Sequence, residues 1–283
     1  MSLLQLTIIA LIQGVTEWLP ISSSGHVLLA ANFFSLDGRD ELLSNAVSNL
    51  GTLAAMLIYF RRDVAAAIAG GFELIGIGKH PGSPSRGAHL ALCIIIATPF
   101  ALGMVIVHEI LIPESIQSGL RSVWVVAAAT IGFGLLLWWA DIAGGRDRTE
   151  KDMTLTHAAL IGATQAIAAL IPGTSRSGIT MTAARARGYE RTESARFSML
   201  IGAPILAAAG LYGAIGLIGA DGANSVVTLQ DGLIVAILAF VSGIASIHAL
   251  MTLLKRMTFL PFVIYRLMLG IGLIAAAPVL GLI

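Results

Sequence analysis

The sequence predicts an all-α polytopic membrane protein built as an inverted-topology repeat, with six transmembrane helices and two re-entrant helical hairpins. Three observations predict it. The 283 residues are 57% hydrophobic and 12% charged, with a mean hydropathy of +0.88, whereas soluble domains carry about 25% charged residues. Six apolar runs approach the roughly 20 residues that a helix needs to cross a bilayer. Two further apolar stretches are broken by similar polar clusters, QGVTEWLPISSSGH at 13–26 and QAIAALIPGTSRSG at 165–178, so that Gln13 and Pro20 recur 152 positions later as Gln165 and Pro172.

The elements follow in order. Residues 3–34 read as the first hairpin: a half-helix, a break, and a half-helix back. Pro20 ends the first half-helix because it lacks an N–H and clashes with the preceding turn. Ser22, Ser23 and Ser24 supply capping chemistry for the second. Spans follow at about 42–60, 88–108 and 122–141. Residues 64–78 read as an interfacial helix inserted in this half, and 79–87 as a loop. The second copy starts with a hairpin at 154–184, followed by spans at about 194–216, 231–253 and 260–283. The chain is one membrane domain whose repeats are 1–141 and 154–283. Three spans per half invert the second copy relative to the first. SNLGTLAA at 48–55 and SMLIGAPILAA at 198–208 extend the likeness, with Gly51 matching Gly202.

Charge placement gives the orientation. Basic residues gather in four groups: Arg61, Arg62, Lys79 and Arg86; Arg146, Arg148 and Lys151; Arg185, Arg187, Arg191 and Arg196; Lys255 and Arg256. The other connections hold only Arg39 and Arg121. The positive-inside rule places the four groups in cytoplasmic loops. The first hairpin then enters from outside and the second from the cytoplasm. Broken backbone at membrane depth is tolerated where it is buried in protein or lines a cavity, and paired broken helices in inverted repeats build sites near the midplane. The single cysteine, Cys93, excludes a disulfide framework and a cysteine metal site. The start lacks the basic region of a cleavable signal peptide, and no basic tail suggests nucleic acid.

The polar clusters carry the candidate chemistry. Gln13 and Glu17 share one helix face. A carboxylate at depth costs about 3 kcal/mol and needs a metal, an arginine or a proton, unless it sits at the interface within reach of water. Ser22, Ser23, Ser24 and Gly25 open a half-helix whose free N–H groups and dipole favour an anion. His26, one turn in, is suited to proton transfer, or to a structural hydrogen bond. In the second cluster Arg176 offers a fork matched to phosphate or carboxylate, flanked by Gly173, Thr174, Ser175, Ser177 and Thr180. Arg176 could instead pair with Glu17 and hold the two hairpins together. Asn45, Ser48 and Asn49 either line the site or join helices by hydrogen bonds. His108, Glu109 and Glu114 read as solvated residues at a span end, and His248 and Arg266 as packing or snorkelling groups. Trp124, Trp138 and Trp139 suit interfacial belts.

With these motifs in view, the chain resembles the undecaprenyl-diphosphate phosphatase family of the bacitracin-resistance type. That family is marked by an (E/Q)xxxE motif, a serine-rich stretch ending in Gly-His, and PGxSRSxxT. Here they are Gln13 to Glu17, SSSGH at 22–26 and PGTSRSGIT at 172–180, in a matching frame over essentially the whole chain. The resemblance implies a hydrolase acting on a phosphoric anhydride. It removes the terminal phosphate of undecaprenyl diphosphate, recycles the lipid carrier for peptidoglycan and confers bacitracin resistance.

It further implies Glu17 as metal ligand or general base, Gln13 as a second metal position, Ser23 as nucleophile, His26 as catalytic histidine and Arg176 as phosphate clamp. Ser22, Ser24, Gly25, Gly173, Thr174, Ser175, Ser177 and Thr180 are the expected phosphate-binding surround. Mg²⁺ or Ca²⁺ is the expected cofactor. The expected location is the bacterial inner membrane, with the site facing the periplasm; membrane lipids and a second copy of the chain are the expected partners. Many members have Glu at the position of Gln13, so the metal here is expected to lean on Glu17 and the substrate phosphates; many also carry an acid and a Gln at those of Asn45 and Asn49, and if either tunes the site there, metal affinity or pH optimum differs here. The rival reading is a polyprenyl-phosphate flippase or transporter using the same frame.

Overall fold

The computed structural model describes residues 3–34, 38–78, 84–145, 147–218 and 229–278. In chain order the helices are α1 (Leu3–Thr16), α2 (Ser23–Phe34), α3 (Gly38–Tyr59), α4 (Arg61–Leu74), α5 (Arg86–Ala97), α6 (Pro99–Leu111), α7 (Glu114–Leu120), α8 (Val123–Ala143), α9 (Leu155–Ala163), α10 (Gln165–Leu170), α11 (Arg176–Ala186), α12 (Arg191–Ile218), α13 (Leu229–Leu254) and α14 (Leu260–Ala276). A 3-10 turn at Glu150–Asp152 precedes α9.

Four helical stretches are long and apolar enough to cross a membrane: Arg86–His108, Val123–Ala143, Arg191–Ile215 and Gln230–Leu254. The first joins α5 and α6. The other two expected spans are α3 and α14, whose apolar parts among the described residues are the shorter Ala46–Tyr59 and Leu260–Ala276. Large apolar side chains such as Leu211, Ile215, Ile237, Val241, Met268 and Ile271 face outward, a surface that a soluble monomer rarely shows. The chain is an all-helical polytopic membrane protein.

Packing is reciprocal. α1 lies on α13 and α3, while α9 and α10 lie on α5 and α6. α2 runs beside α14, where Gly25 faces Leu269 and Leu273, and α11 packs on α8. The helix pairs α3–α12 and α8–α14 complete the frame. The main core gathers Trp18, Met56, Phe60, Leu137, Met181, Met199, Ile247 and Phe259. Gly51 lets α3 approach the backbone of α13: a Cβ there would stand 3.0 Å from the Ala236 carbonyl carbon.

Several expectations need adjusting. α1 stops at Thr16, four residues before Pro20, because Pro20 has no N–H to offer the Thr16 carbonyl and disfavours helix at Leu19. The interfacial helix begins earlier, at Arg61, and α7 occupies the connection that follows α6. His108 is buried rather than solvated, and Glu114 is exposed. Arg185, Arg191 and Arg196 belong to helices, not to an open loop. The fully buried Arg185 pairs with Asp141 at 2.9 Å, and Arg191 joins the same carboxylate at 2.8 Å. Arg196 pairs with Asp63 at 2.6 Å, Glu150 at 2.7 Å and Glu193 at 3.1 Å. Arg86 bridges Asp63 at 3.0 Å and also contacts Glu150. Lys79, Arg146, the side chains of Arg39, Asn45 and Glu109, and the connection at 219–228 lie outside the described residues.

Candidate active site

Both breaks use the same local construction. Ser22 has φ 70° and Ser175 has φ 68°, the left-handed region that costs a non-glycine residue about 1 kcal/mol or more. Each then caps the helix it starts. Ser22 Oγ accepts from the Gly25 N–H at 3.4 Å, and Ser175 Oγ accepts from the Gly178 N–H at 3.1 Å. Hydroxyl pairs repeat as well, Ser22 with Ser24 at 3.2 Å and Ser175 with Ser177 at 3.3 Å. Ser22–Ser23–Ser24–Gly25 is thus the counterpart of Ser175–Arg176–Ser177–Gly178. The register moves by one from that of the two prolines, because the second break holds one more residue between proline and cap. Ser23 and Arg176 are therefore equivalent positions, each the first residue of its helix.

These two residues meet on one carboxylate. Glu17 Oε1 accepts from Arg176 Nη2 at 2.8 Å, and Oε2 accepts from Ser23 Oγ at 3.3 Å and from Gln13 Nε2 at 2.9 Å. Gln13 Nε2 also donates to Asn49 Oδ1 at 3.0 Å. The Glu17 and Arg176 side chains are 9% and 14% exposed, so the pair is largely withdrawn from water. The Arg176 guanidinium lies 5.2 Å from the Trp18 ring.

The breaks are also stitched directly. The Gly173 N–H donates to Ser24 Oγ at 2.9 Å, and Ser177 Oγ donates to the Leu19 carbonyl at 3.0 Å. Thr174 donates to the Ile171 carbonyl at 2.7 Å within its own loop, and Thr180 shares a 2.6 Å hydroxyl contact with Ser198 on α12. His26 takes its hydrogen bonds from outside the Glu17 cluster. Its Nδ1 lies 2.8 Å from the Ser22 carbonyl oxygen, which can only accept, so Nδ1 carries the proton. Nε2 is then the acceptor for the Tyr265 hydroxyl at 2.6 Å.

The sequence marks Arg266 only as a packing or snorkelling group. It is fully buried and so does not snorkel. Its guanidinium donates to the carbonyls of Thr130 at 2.9 Å, Gly173 and Thr174 at 3.0 Å each, and Pro20 and Ala129 at 3.4 Å each. It thereby grips both breaks from α14. The available signal was an arginine in an apolar run, a costly placement that calls for a role. Tyr265 beside it offered no such signal.

The arrangement suits an anion. One carboxylate meets the Arg176 guanidinium beside two helix N-termini, whose dipoles add positive potential. It also holds a hydroxyl against a carboxylate, the pairing that activates an oxygen nucleophile; 3.3 Å is long for that bond but ordinary before substrate binds.

The model of the family described as bacitracin resistance protein BacA matches residues 6–272. The chain belongs to the BacA family. Among similar proteins, one from Hyphomonas neptunium named undecaprenyl-diphosphatase is 64% identical over 281 residues, covering 99% of this chain and 99% of that protein. One of the same name from Maricaulis maris is 44% identical over 274 residues, covering 97% and 98%. Another, from Saccharophagus degradans, is 41% identical over 276 residues, covering 97% and 98%.

A divalent cation at this site would find as donors the Glu17 carboxylate and the side-chain oxygen of Gln13. Among the described residues no trio of His, Cys, Asp or Glu gathers to form an all-protein cage. The set fits Mg²⁺ in the manner that ion favours, through one or two protein ligands with substrate phosphates and water completing the shell.

Proposed function

We propose that this chain is a membrane phosphatase that hydrolyses undecaprenyl diphosphate to undecaprenyl phosphate and inorganic phosphate. That reaction returns the lipid carrier to peptidoglycan synthesis and underlies bacitracin resistance. The observation that carries the reading is the meeting of Ser23 and Arg176, equivalent residues of the two breaks, on opposite oxygens of Glu17.

In the mechanism, the diphosphate enters between the breaks and its terminal phosphate is held by Arg176 and the amides opening α2 and α11. Ser23 Oγ passes its proton to Glu17 Oε2 as its lone pair bonds the terminal phosphorus. The bond from that phosphorus to the bridging oxygen breaks, and the oxygen leaves with the electron pair on undecaprenyl phosphate. Water then attacks the phosphoserine, its proton passes by way of the Tyr265 hydroxyl to His26 Nε2, and Oγ departs with the proton held by Glu17, freeing phosphate. Positioning and charge stabilisation do most of the catalysis in such transfers. Glu17 and Gln13 would hold a Mg²⁺ or Ca²⁺ ion, which when bound neutralises phosphate charge. Gln13 and Asn49 keep the carboxylate oriented in the meantime.

In the membrane, the reading has six spans and two re-entrant hairpins, belonging to inverted repeats at 1–141 and 154–283. The reciprocal packing supports it, since each break is held by spans of the other half. The basic residues around Asp63, Asp141 and Glu150 mark the cytoplasmic end, which leaves the Ser23 side facing the periplasm of the inner membrane. Exposed Trp124 at one end of α8, and Trp138 and Trp139 at the other, suit the two interfaces. A flippase on the same frame is the weaker reading, because binding alone needs no hydroxyl poised on a carboxylate.

The test is phosphate release in detergent from a 55-carbon or 15-carbon prenyl diphosphate with Mg²⁺ or Ca²⁺. Wild type should turn over and Glu17→Ala should not. Wild type inactive under both metals, or Glu17→Ala as fast as wild type, would sink the reading.

A further inference from the structure

The Arg176 guanidinium sits in a slot whose walls come from different parts of the chain. One face lies toward the Trp18 ring, 5.2 Å from Cζ. Trp18 is fully buried and its indole N–H donates to the Thr52 carbonyl at 3.2 Å, so that wall is fixed. At its edge, Nη2 is tied to Glu17 at 2.8 Å. The remaining wall is the backbone of α12 at Gly202. A Cβ there would overlap Nη1, stand 2.5 Å from Cζ and 3.0 Å from Nη2.

We infer that Gly202 is a positioning residue for the anion site: its missing side chain lets the Arg176 guanidinium lie in the one pose that keeps Nη2 on Glu17 and Nη1 free for a phosphate oxygen. The inference rests on the reading of Arg176 as phosphate clamp. Nη1 is buried and has no hydrogen-bond partner. A buried donor in that condition costs stability until an acceptor arrives, so an incoming phosphate oxygen gains an N–H already in place. The helix itself gives no reason for glycine here. Glycine weakens a helix interior relative to alanine, and α12 already carries Pro204 two residues further on. The benefit is therefore at Arg176 and not within α12. Sequence comparison of the two halves pairs Gly202 with Gly51, yet Gly51 meets helix backbone. The two glycines have taken different jobs, as Ser23 and Arg176 have.

The test measures the Kd of a non-hydrolysable farnesyl diphosphate analogue, with a methylene bridge between its phosphorus atoms, by calorimetry on purified protein in detergent. Gly202→Ala should weaken binding roughly tenfold or more, with KM for the 15-carbon substrate rising by a similar factor and kcat falling less. In an Arg176→Ala background the same substitution should change Kd by less than about twofold, since residues coupled through one contact are non-additive. Gly132→Ala on α8, where the new methyl meets nothing within 4 Å, should leave Kd unchanged. Wild-type affinity in Gly202→Ala, or an equal loss in both backgrounds, would overturn the inference. If Gly202→Ala does not fold, the double variant decides. A melting temperature restored to that of Arg176→Ala supports the slot, and continued unfolding overturns it. Wild-type binding by Arg176→Ala would instead remove the phosphate-clamp reading on which the inference stands.

Discussion

Arg266→Met is the substitution with the widest expected reach. The side chain is fully buried and holds five backbone carbonyls drawn from both breaks and α8. Three of these bonds are 2.9 to 3.0 Å long. At about 1.5–3 kcal/mol for a bond from a charged donor, they contribute about 4–9 kcal/mol before costs. Methionine has similar bulk and removes a buried cation, whose desolvation penalty of several kcal/mol disappears with it. The net loss should be about 2–4 kcal/mol, visible as a lower melting temperature in detergent. Activity should fall further than stability. Releasing Pro20, Gly173 and Thr174 lets both breaks shift, and a displacement of about 1 Å can cost about a hundredfold in rate. Phosphate release is measured well below the melting point of the variant, so that unfolding does not contribute. Activity within about twofold of wild type, at a temperature where the variant is folded, would refute the idea that Arg266 sets the geometry of the two breaks.

Four shorter predictions follow. Ser23→Ala should abolish capture of radiolabelled phosphate on the protein; retained activity in that variant would favour direct attack by water activated at Glu17. Arg176→Lys keeps the charge but loses the fork, so activity should drop about a hundredfold with unchanged expression, and near-normal turnover would make Arg176 purely structural. Tyr265→Phe removes the only hydroxyl bonded to His26 Nε2 among the described residues and should lower kcat more than it alters KM; identical kcat would leave Tyr265 without a role in turnover. At the basic end, the hydrogen bond from Arg86 holds Glu150 below its ordinary carboxylate range. Burial pushes Asp63 up, but Arg196 and Arg86 outweigh it, so Asp63 is lowered too. Their stabilising share is present above the unfolded carboxylate range near pH 4 and is lost as pH falls through the depressed folded values. Asp63→Asn should lower the neutral-pH melting temperature, by about 2 kcal/mol of stability, and flatten its acid dependence; an unchanged acid limb would assign that dependence elsewhere.

Much of the site was legible because it breaks a rule. Glu17, Arg176 and the serine clusters lie in stretches that lipid should keep apolar, so each stood out against its background. The apolar runs likewise marked the four long helices to within a few residues. Arg266 broke the same rule and still reads from sequence only as a packing or snorkelling group, since no duplicated motif surrounds it. Its partners are backbone carbonyls, and nothing in side-chain identity announces them. Gly202 is harder still: its role is an absence, and only the neighbouring guanidinium gives that absence meaning. The one-residue register change between the breaks was hidden for a similar reason. Aligned prolines suggest one pairing, while φ at Ser22 and Ser175 and the matching caps establish another.

The Glu17–Arg176 bond spans 159 residues of sequence, and this sets a timetable for assembly. A chain made from its N-terminus presents Glu17 long before its cation exists. The carboxylate must meanwhile remain near the headgroups or lean on Gln13 and Asn49. Seating of α1 must wait for α13, and the brace on Pro20 waits for Arg266, 246 positions later. The earlier polar break is thus fixed in place only after these later helices have followed it. Truncation after α12 removes α13 and Arg266, and should leave a fragment that inserts but keeps its first break loose and open to quality-control proteases.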